Sequence, residues 1–322
     1  MRTTTTAITG TNRTTVDLDV LGDLFPHRVA TVTELIALGL TGQLVKRRCG
    51  PGGPWRRVHP GVLLLGSAPP TREQLVQATL RYAGRDALVT GQDALRLHGV
   101  RVARPGEPVH VLVPSGRGVR GLPSALVERT DCPPHPVLRS GFPTVPLVRA
   151  VVDAARRSSS ADWVRHLLVE VIRSGAVRFE ELRTQLAVGG GNGLRRAHQV
   201  LRELSEETRA SVHSSARELV REVGLPAPRW NAGLTADDGT PLGTVVAWWQ
   251  QAGVAWEVDP FEFEPSPAEH VHVLRRGCRL TKNGVVVLHT GAARLRHEPT
   301  AVGEELHAAY RNAVSRRTRA AA

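Results

Sequence analysis

Residues 31–65 read "TVTELIALGLTGQLVKRRCGPGGPWRRVHPGVLLL", and the order of signals in this stretch decides how the first part of the chain folds. Thr31-Val-Thr-Glu34 has the form of a capping box, in which the Thr hydroxyl accepts from the third backbone N–H of a helix and the Glu reaches back. That predicts a helix running to Leu38 and stopped at Gly39. A second helix starts at Thr41 and turns Leu44 and Val45 inward, leaving Gln43, Lys46 and Arg47 outward. "GPGG" breaks it. "WRRVHPGVLLL" then predicts two short strands joined at Pro60-Gly61. Upstream, Leu18, Leu21 and Phe25 recur at three and four residues, with Asp17 able to cap, and this spacing predicts a first helix that Pro26 ends.

Helix, short turn, helix and hairpin is the order of a winged helix-turn-helix, in which the second helix of the pair enters the major groove and the wing follows a backbone. Residues 41–60 carry Lys46, Arg47, Arg48, Arg56 and Arg57 and no acid. Thr41, Gln43, Lys46, Arg47, Arg48, Arg56, Arg57 and His59 are therefore the candidate DNA-contact residues. Gln43 and Lys46 suit base edges, and the arginines suit phosphate. Five cations neutralising phosphate predict a slope of log K against log salt of about −4 to −5. The competing reading is a solvated basic helix that aids solubility.

Composition agrees with a polyanionic partner. The chain has 322 residues and a formal net charge of +12, a field that attracts phosphate chains, although Arg-rich composition also follows from GC-rich coding. The length predicts two or three domains. No apolar run reaches the roughly 20 residues of a membrane span, so no membrane partner is expected. "MRTTTTAITGTNRTT" lacks the apolar core of a secretory signal and reads as a disordered lead-in over 1–16. Cys49, Cys132 and Cys278 are odd in number and widely spaced, which predicts a reducing cytoplasm without disulfides or a zinc site.

The winged helix is expected over 17–68 and a mixed α/β connecting domain over 69–185. In the latter, "TREQLVQATLRYAG" predicts an amphipathic helix with Leu75, Ala78 and Leu80 inward, and "PVHVLVP" and "SALVERT" predict strands. His98 and His110 read as packed or capping histidines, because no nucleophile or acid pattern accompanies them. "AVGGGNG", residues 187–193, lacks the Lys-Ser/Thr of a phosphate loop and reads as a break before the last domain.

"ATVTELIALGLTGQLVKRRCGPGGPWRRVHPGVLLL" resembles the N-terminal winged-helix domain of AbiEi-type antitoxins and their actinobacterial relatives. "ALVTGQDALRLHGV" and "GFPTVPLVRAVVDAAR" resemble the connecting region of that group. The resemblance implies a DNA-binding transcriptional regulator, in some members an antitoxin that represses its own operon, with a toxin protein as a partner beside double-stranded DNA.

Residues 194–312 give helix, three strands, helix, strand, followed by a basic tail over 313–322. Within them "GTVVAWW" and "VAWEVDPF" are adjacent strands, and "SPAEHVHVLRRGCRLTKNG" is a helix capped by Ser266 with Glu269 at its third position. This order resembles the restriction-endonuclease-like fold, and more closely the very-short-patch-repair-like nuclease domain. The whole chain is thus expected to be α/β (α+β). Glu257 and Asp259, two apart on one strand, share a face and match that family's motif; the resemblance makes them the weak Mg²⁺ ligands and the catalytic residues if the domain is active. Val246 stands where the family has an Asp, His213 lies where the preceding helix supplies a Glu, Glu264 stands in place of a His, and Glu269 replaces a common Asp. The expectation is a degenerate nuclease fold without a cofactor, against the alternative of a Mg²⁺-dependent endonuclease with Glu262 and Glu264 recruited. Trp248, Trp249 and Trp256 are expected in the core. Arg275, Arg276, Arg279 and Lys282 are expected on one helix face, with Arg294, Arg296, Arg316, Arg317 and Arg319 following: a solvated face, a second DNA contact, or a surface that meets the acidic strand of a partner subunit.

Overall fold

The computed structural model describes residues 4–9, 12–18, 20–101, 108–188, 192–236, 239–260 and 267–321. It mixes helices with both parallel and antiparallel sheets, and the chain divides into two compact units, Met1–Val177 with Glu181–His198, and Arg178–Glu180 with Gln199–Ala322.

In the first unit the Thr-rich lead-in is not structureless. β1 (Thr4–Thr9) and β2 (Asn12–Asp17) pair as an antiparallel hairpin, in keeping with the preference of β-branched residues for extended backbone. The first predicted helix is also corrected. Leu18 and Leu21 are buried as expected, but the backbone makes only two 3₁₀ turns, Leu21–Leu24 and Pro26–Arg28. Pro26 holds Phe25 in an extended conformation (φ −117°, ψ 133°), so no helix runs through it.

After a strand that the sequence did not announce, β3 (Val29–Thr31), the deciding stretch folds in the expected order: α1 (Val32–Ala37), α2 (Gly42–Arg48), β4 (Arg56–His59) and β5 (Val62–Leu64). Thr31 and Glu34 close a complete capping box, with the Thr31 N–H donating to Glu34 Oε2 at 2.8 Å and the Glu34 N–H to Thr31 Oγ1 at 3.1 Å. Pro60 and Gly61 turn the hairpin, with Gly61 at φ +73°, a left-handed value that glycine adopts without strain. β5 lies between β3 and β4, and Leu21, Leu35, Leu44, Val45, Trp55 and Leu63 close a core beneath the two helices.

α3 (Arg72–Ala83) is capped by a Thr71–Gln74 box and lays Ala78 on Val29, Val62 and Leu64 from the other side of that sheet. The stretch 17–68 therefore shares a core with the start of 69–185. β6 (Leu88–Val89), α4 (Gly91–Leu97), β7 (Val109–Pro114), β8 (Ala125–Thr130), β9 (Val137–Arg139) and β10 (Phe142–Thr144) follow. Their sheet runs β8-β7-β6-β10-β9, with β7 and β8 parallel. α5 (Leu147–Arg157) and α6 (Ala161–Arg173) come next. The Gly-rich break at 187–193 is described only at its ends, where α7 (Phe179–Val188) stops and a 3₁₀ turn (Asn192–Leu194) begins.

The second unit, which takes α8 (Arg195–Glu222) from Gln199 onward, follows the predicted order of helix, three strands, helix, strand with β11 (Arg229–Thr235), β12 (Pro241–Trp249), β13 (Val254–Asp259), α9 (Pro267–Lys282) and β14 (Val286–Gly291). The strands lie in sequence order; β11, β12 and β13 are antiparallel neighbours, and β14 returns parallel to β13 through α9. One face of the sheet packs Trp249, Val254, Trp256 and Val258 against Leu219 and Leu306. The other packs Val245, Ala255 and Val285 against Leu280 of α9. α10 (Ala292–His297) leads into α11 (Pro299–Ala321), so the residues expected as a separate basic tail continue a helix. Trp249 and Trp256 are buried and Trp248 half-buried; the Trp256 Nε1–H donates to Thr290 Oγ1 at 2.9 Å.

Candidate nucleic-acid interface

The periodicity of α2 fixes which side chains reach solvent. Leu44 and Val45 are 7% and 2% exposed and belong to the core, while Gln43, Lys46 and Arg47 are exposed on the opposite side. Thr41 caps the helix, its hydroxyl accepting the Leu44 N–H at 3.2 Å; the cap ties its lone pair to the fold and leaves its O–H for an outside acceptor. β4 adds Arg56 and Arg57, both exposed, with Arg56 Nε donating to the carbonyl of Ser67.

Two of the expected contact residues are used otherwise. Arg48 folds back so that its guanidinium lies 5.0 Å from the ring centroid of Trp55, a cation–π contact. Its carbonyl accepts the Trp55 N–H at 3.0 Å. Arg48 thus joins the end of α2 to the start of the hairpin rather than facing outward. His59 is only 5% exposed. Its Nε2 is 2.9 Å from Thr79 Oγ1, its ring sits 5.6 Å from that of Tyr82, and burial pushes its pKa down. The β4–β5 register shifts between Arg57 and His59, and this bulge breaks the alternation and turns the last position of β4 towards α3. His59 is a core residue.

The surface left is Thr41, Gln43, Lys46, Arg47, Arg56 and Arg57. No Asp or Glu occurs between Glu34 and Glu73, and Glu34 itself is held by its capping bonds and by Arg81. Among the described residues Lys46, Arg47, Arg56 and Arg57 have no ion-pair partner, in contrast to Arg28 with Asp23 or Arg117 with Asp86 elsewhere in the unit.

In the second unit Glu257 and Asp259 lie on β13, as expected, but Glu257 already has two partners. His289 Nδ1 stands 3.1 Å from Oε2 and Arg276 Nη2 stands 2.5 Å from Oε1. The Arg276 Nη2–H donates to the carbonyl of Thr244 at 3.0 Å and Nε–H to that of Leu242 at 3.3 Å, so its contact with Glu257 is one of charge. Gly243 makes room for it, since a Cβ there would lie 2.8 Å from Arg276 Nε. Burial opposes ionisation of Glu257, yet the bond from His289 and the charge of Arg276 hold its carboxyl below the usual range. Val246 is half-buried against the Trp249–Trp256 core and offers no ligand atom.

The Mg²⁺ that the resemblance implies does not fit this arrangement. His289 takes Oε2 of Glu257, and Oε1, buried without a hydrogen bond, faces the fixed cation of Arg276, whose charge opposes a metal ion there; among the described residues no set of three or more His, Cys, Asp or Glu is placed to hold a metal. Glu262, Glu264 and Ser266 lie outside the described residues, as does the side chain of Glu269. Sequence reasoning missed His289 and Arg276. The apolar strand "VVVLHT" pairs His289 directly with Glu257, a register set by the α9 crossover. Arg276 is also a correction, because it turns inward and leaves the basic face of α9 to Arg275, Arg279 and Lys282. Arg317, expected as free tail charge, donates to the carbonyls of Gln250 and Gln251 at 3.0 and 3.2 Å, and Arg294 pairs with Glu298 and Glu305.

His98 and His110 are packed as expected, with His98 Nε2 2.9 Å from the Val145 carbonyl and His110 Nε2 3.1 Å from Glu128. Among the described residues no helix is long and apolar enough to cross a membrane. Comparison with protein-family models, with curated proteins and with solved structures gives no match for this chain.

Proposed function

We propose that the protein is a cytoplasmic DNA-binding regulator, antitoxin-like in type, that docks α2 in the major groove of duplex DNA and lays the β4–β5 hairpin along a backbone. The observation that carries this reading is the coincidence of charge and element. The four unpaired cations of the first 68 residues' acid-free stretch stand on the helix and the hairpin that a winged helix presents to DNA. Gln43 and Lys46 read base edges, and Arg47, Arg56 and Arg57 hold phosphate. The second unit, with Arg276 seated on Glu257, is not a nuclease in this reading.

The test is binding of a labelled duplex from the protein's own upstream DNA as salt is raised. Three arginines on phosphate give a slope near −2.7, at about 0.9 per contact, and Arg47→Glu/Arg57→Glu flattens it by about 2. Equal, weak binding by both proteins refutes the docking of α2. Mg²⁺-dependent nicking that disappears in Glu257→Gln would establish the endonuclease instead.

A further inference from the structure

The second unit carries another helix with the charge pattern of α2. On α9, Arg275, Arg279 and Lys282 occupy positions i, i+4 and i+7 and are all exposed, which places them in one stripe along the axis. No Asp or Glu occurs between Glu269 and Glu298, and among the described residues none of the three has an ion-pair partner. α8 differs, because it intersperses Glu203, Glu206, Glu207, Glu218 and Glu222 among its arginines.

The stripe is also held rigidly. Leu280 is 1% exposed in the core under α9, and Arg276, on the inner side, is bound to two carbonyls of β12 and to Glu257. Glu257 therefore acts as a counter-ion that seats α9 on the sheet. Seven residues at 1.5 Å each span about 10 Å, a length over which one strand of duplex DNA presents about three phosphates.

We infer that the outward stripe of α9, Arg275, Arg279 and Lys282, is a second DNA-contacting surface that binds the phosphate backbone of duplex DNA independently of sequence. The absence of aromatic side chains among the three favours duplex backbone over stacked single strands. The inference rests on duplex DNA being the ligand, and goes beyond docking of α2 by giving the second unit a share in binding.

The experiment uses the full chain with three variants: Arg275→Ala/Arg279→Ala/Lys282→Ala, the charge-keeping Arg275→Lys/Arg279→Lys/Lys282→Arg, and Lys46→Ala/Arg47→Ala/Arg57→Ala. Circular dichroism checks that each is folded, and salt titrations are run on the upstream duplex and on an unrelated duplex of equal length. The α9 alanine variant is expected to flatten the slope by up to about 2.7, at 0.9 per contact, equally on both duplexes, with the wild-type slope kept in the charge-keeping variant. An α9 alanine variant with the wild-type slope overturns the inference, whether the stripe is merely solvated or holds an acidic protein. If only the α2 and hairpin variant flattens the slope, the regulator reading stands and the α9 contact falls; if only the α9 variant does, the reverse holds.

Discussion

Glu257 shows how a residue picked for its chemistry can be given a different task by its neighbours. Its carboxylate is held below the usual range against the cost of burial. A carboxylate depressed in the folded state stabilises the fold above its unfolded value, near 4.5, and that stabilisation is lost as pH falls through the folded value. Urea denaturation between pH 7 and 3 should therefore show a loss of stability in the wild type that is smaller in Glu257→Gln. Arg276→Ala should cost about 2 kcal/mol, because it strips a half-buried carboxylate of its charge partner and leaves two strand carbonyls unbonded. Unchanged midpoints would mean that Glu257 and Arg276 do not clamp α9. His59 carries the same sign in a higher pH window. Burial lowers its pKa, so the unfolded chain binds more protons as pH falls below about 6.5, and the first unit loses stability there. His59→Ala should lower the melting temperature, remove this dependence, and leave the salt slope of DNA binding unchanged, since the ring contacts Thr79 and not solvent. Neither fate was legible from residue type. A histidine beside two arginines on a hairpin reads as part of a basic wing until α3 is placed beneath it.

At the scale of elements, the join between α2 and β4 is the vulnerable point of the proposed DNA surface. A Cβ on Gly53 would lie 2.3 Å from the Arg48 carbonyl, a clash with backbone that no side-chain motion relieves. Gly53→Ala should destabilise the first unit by about 1–3 kcal/mol, and weaken duplex binding beyond that loss because the hairpin moves relative to α2. A variant with wild-type stability and affinity would show that the join is slack. The elements themselves were unevenly legible. The α1 capping box, the α2 face and the Pro60-Gly61 hairpin depend on neighbours within four residues, and those signals predicted them. The first helix failed because Leu18, Leu21 and Phe25 have the spacing of a helix face, yet Pro26 holds Phe25 extended and the burial of Leu18 and Leu21 is met with 3₁₀ turns. The expected basic tail failed for the converse reason: a run of arginines says nothing about whether the helix beneath it continues, and Arg317 reaches across to the β12–β13 turn.

For the whole molecule, duplex DNA that binds only the folded state must stabilise it by mass action. At a free concentration about 100 times Kd the gain is about 2.7 kcal/mol, and it should vanish as salt is raised; a melting temperature indifferent to DNA at low salt would contradict the proposed function. The net charge of +12, the helix, helix, hairpin order of residues 31–65 and the order of helices and strands along the last module were determined by sequence alone, because charge is additive and local order is set by propensity, capping and period. What only the tertiary structure decided is which charges remain available. Arg48 is spent on Trp55, Arg276 on Glu257, and Arg317 on a turn, while Lys46, Arg47, Arg56, Arg57 and the α9 stripe are left to solvent. Pairing of this kind joins residues tens of positions apart through sheet register and helix crossover, and a one-dimensional pattern carries no term for it.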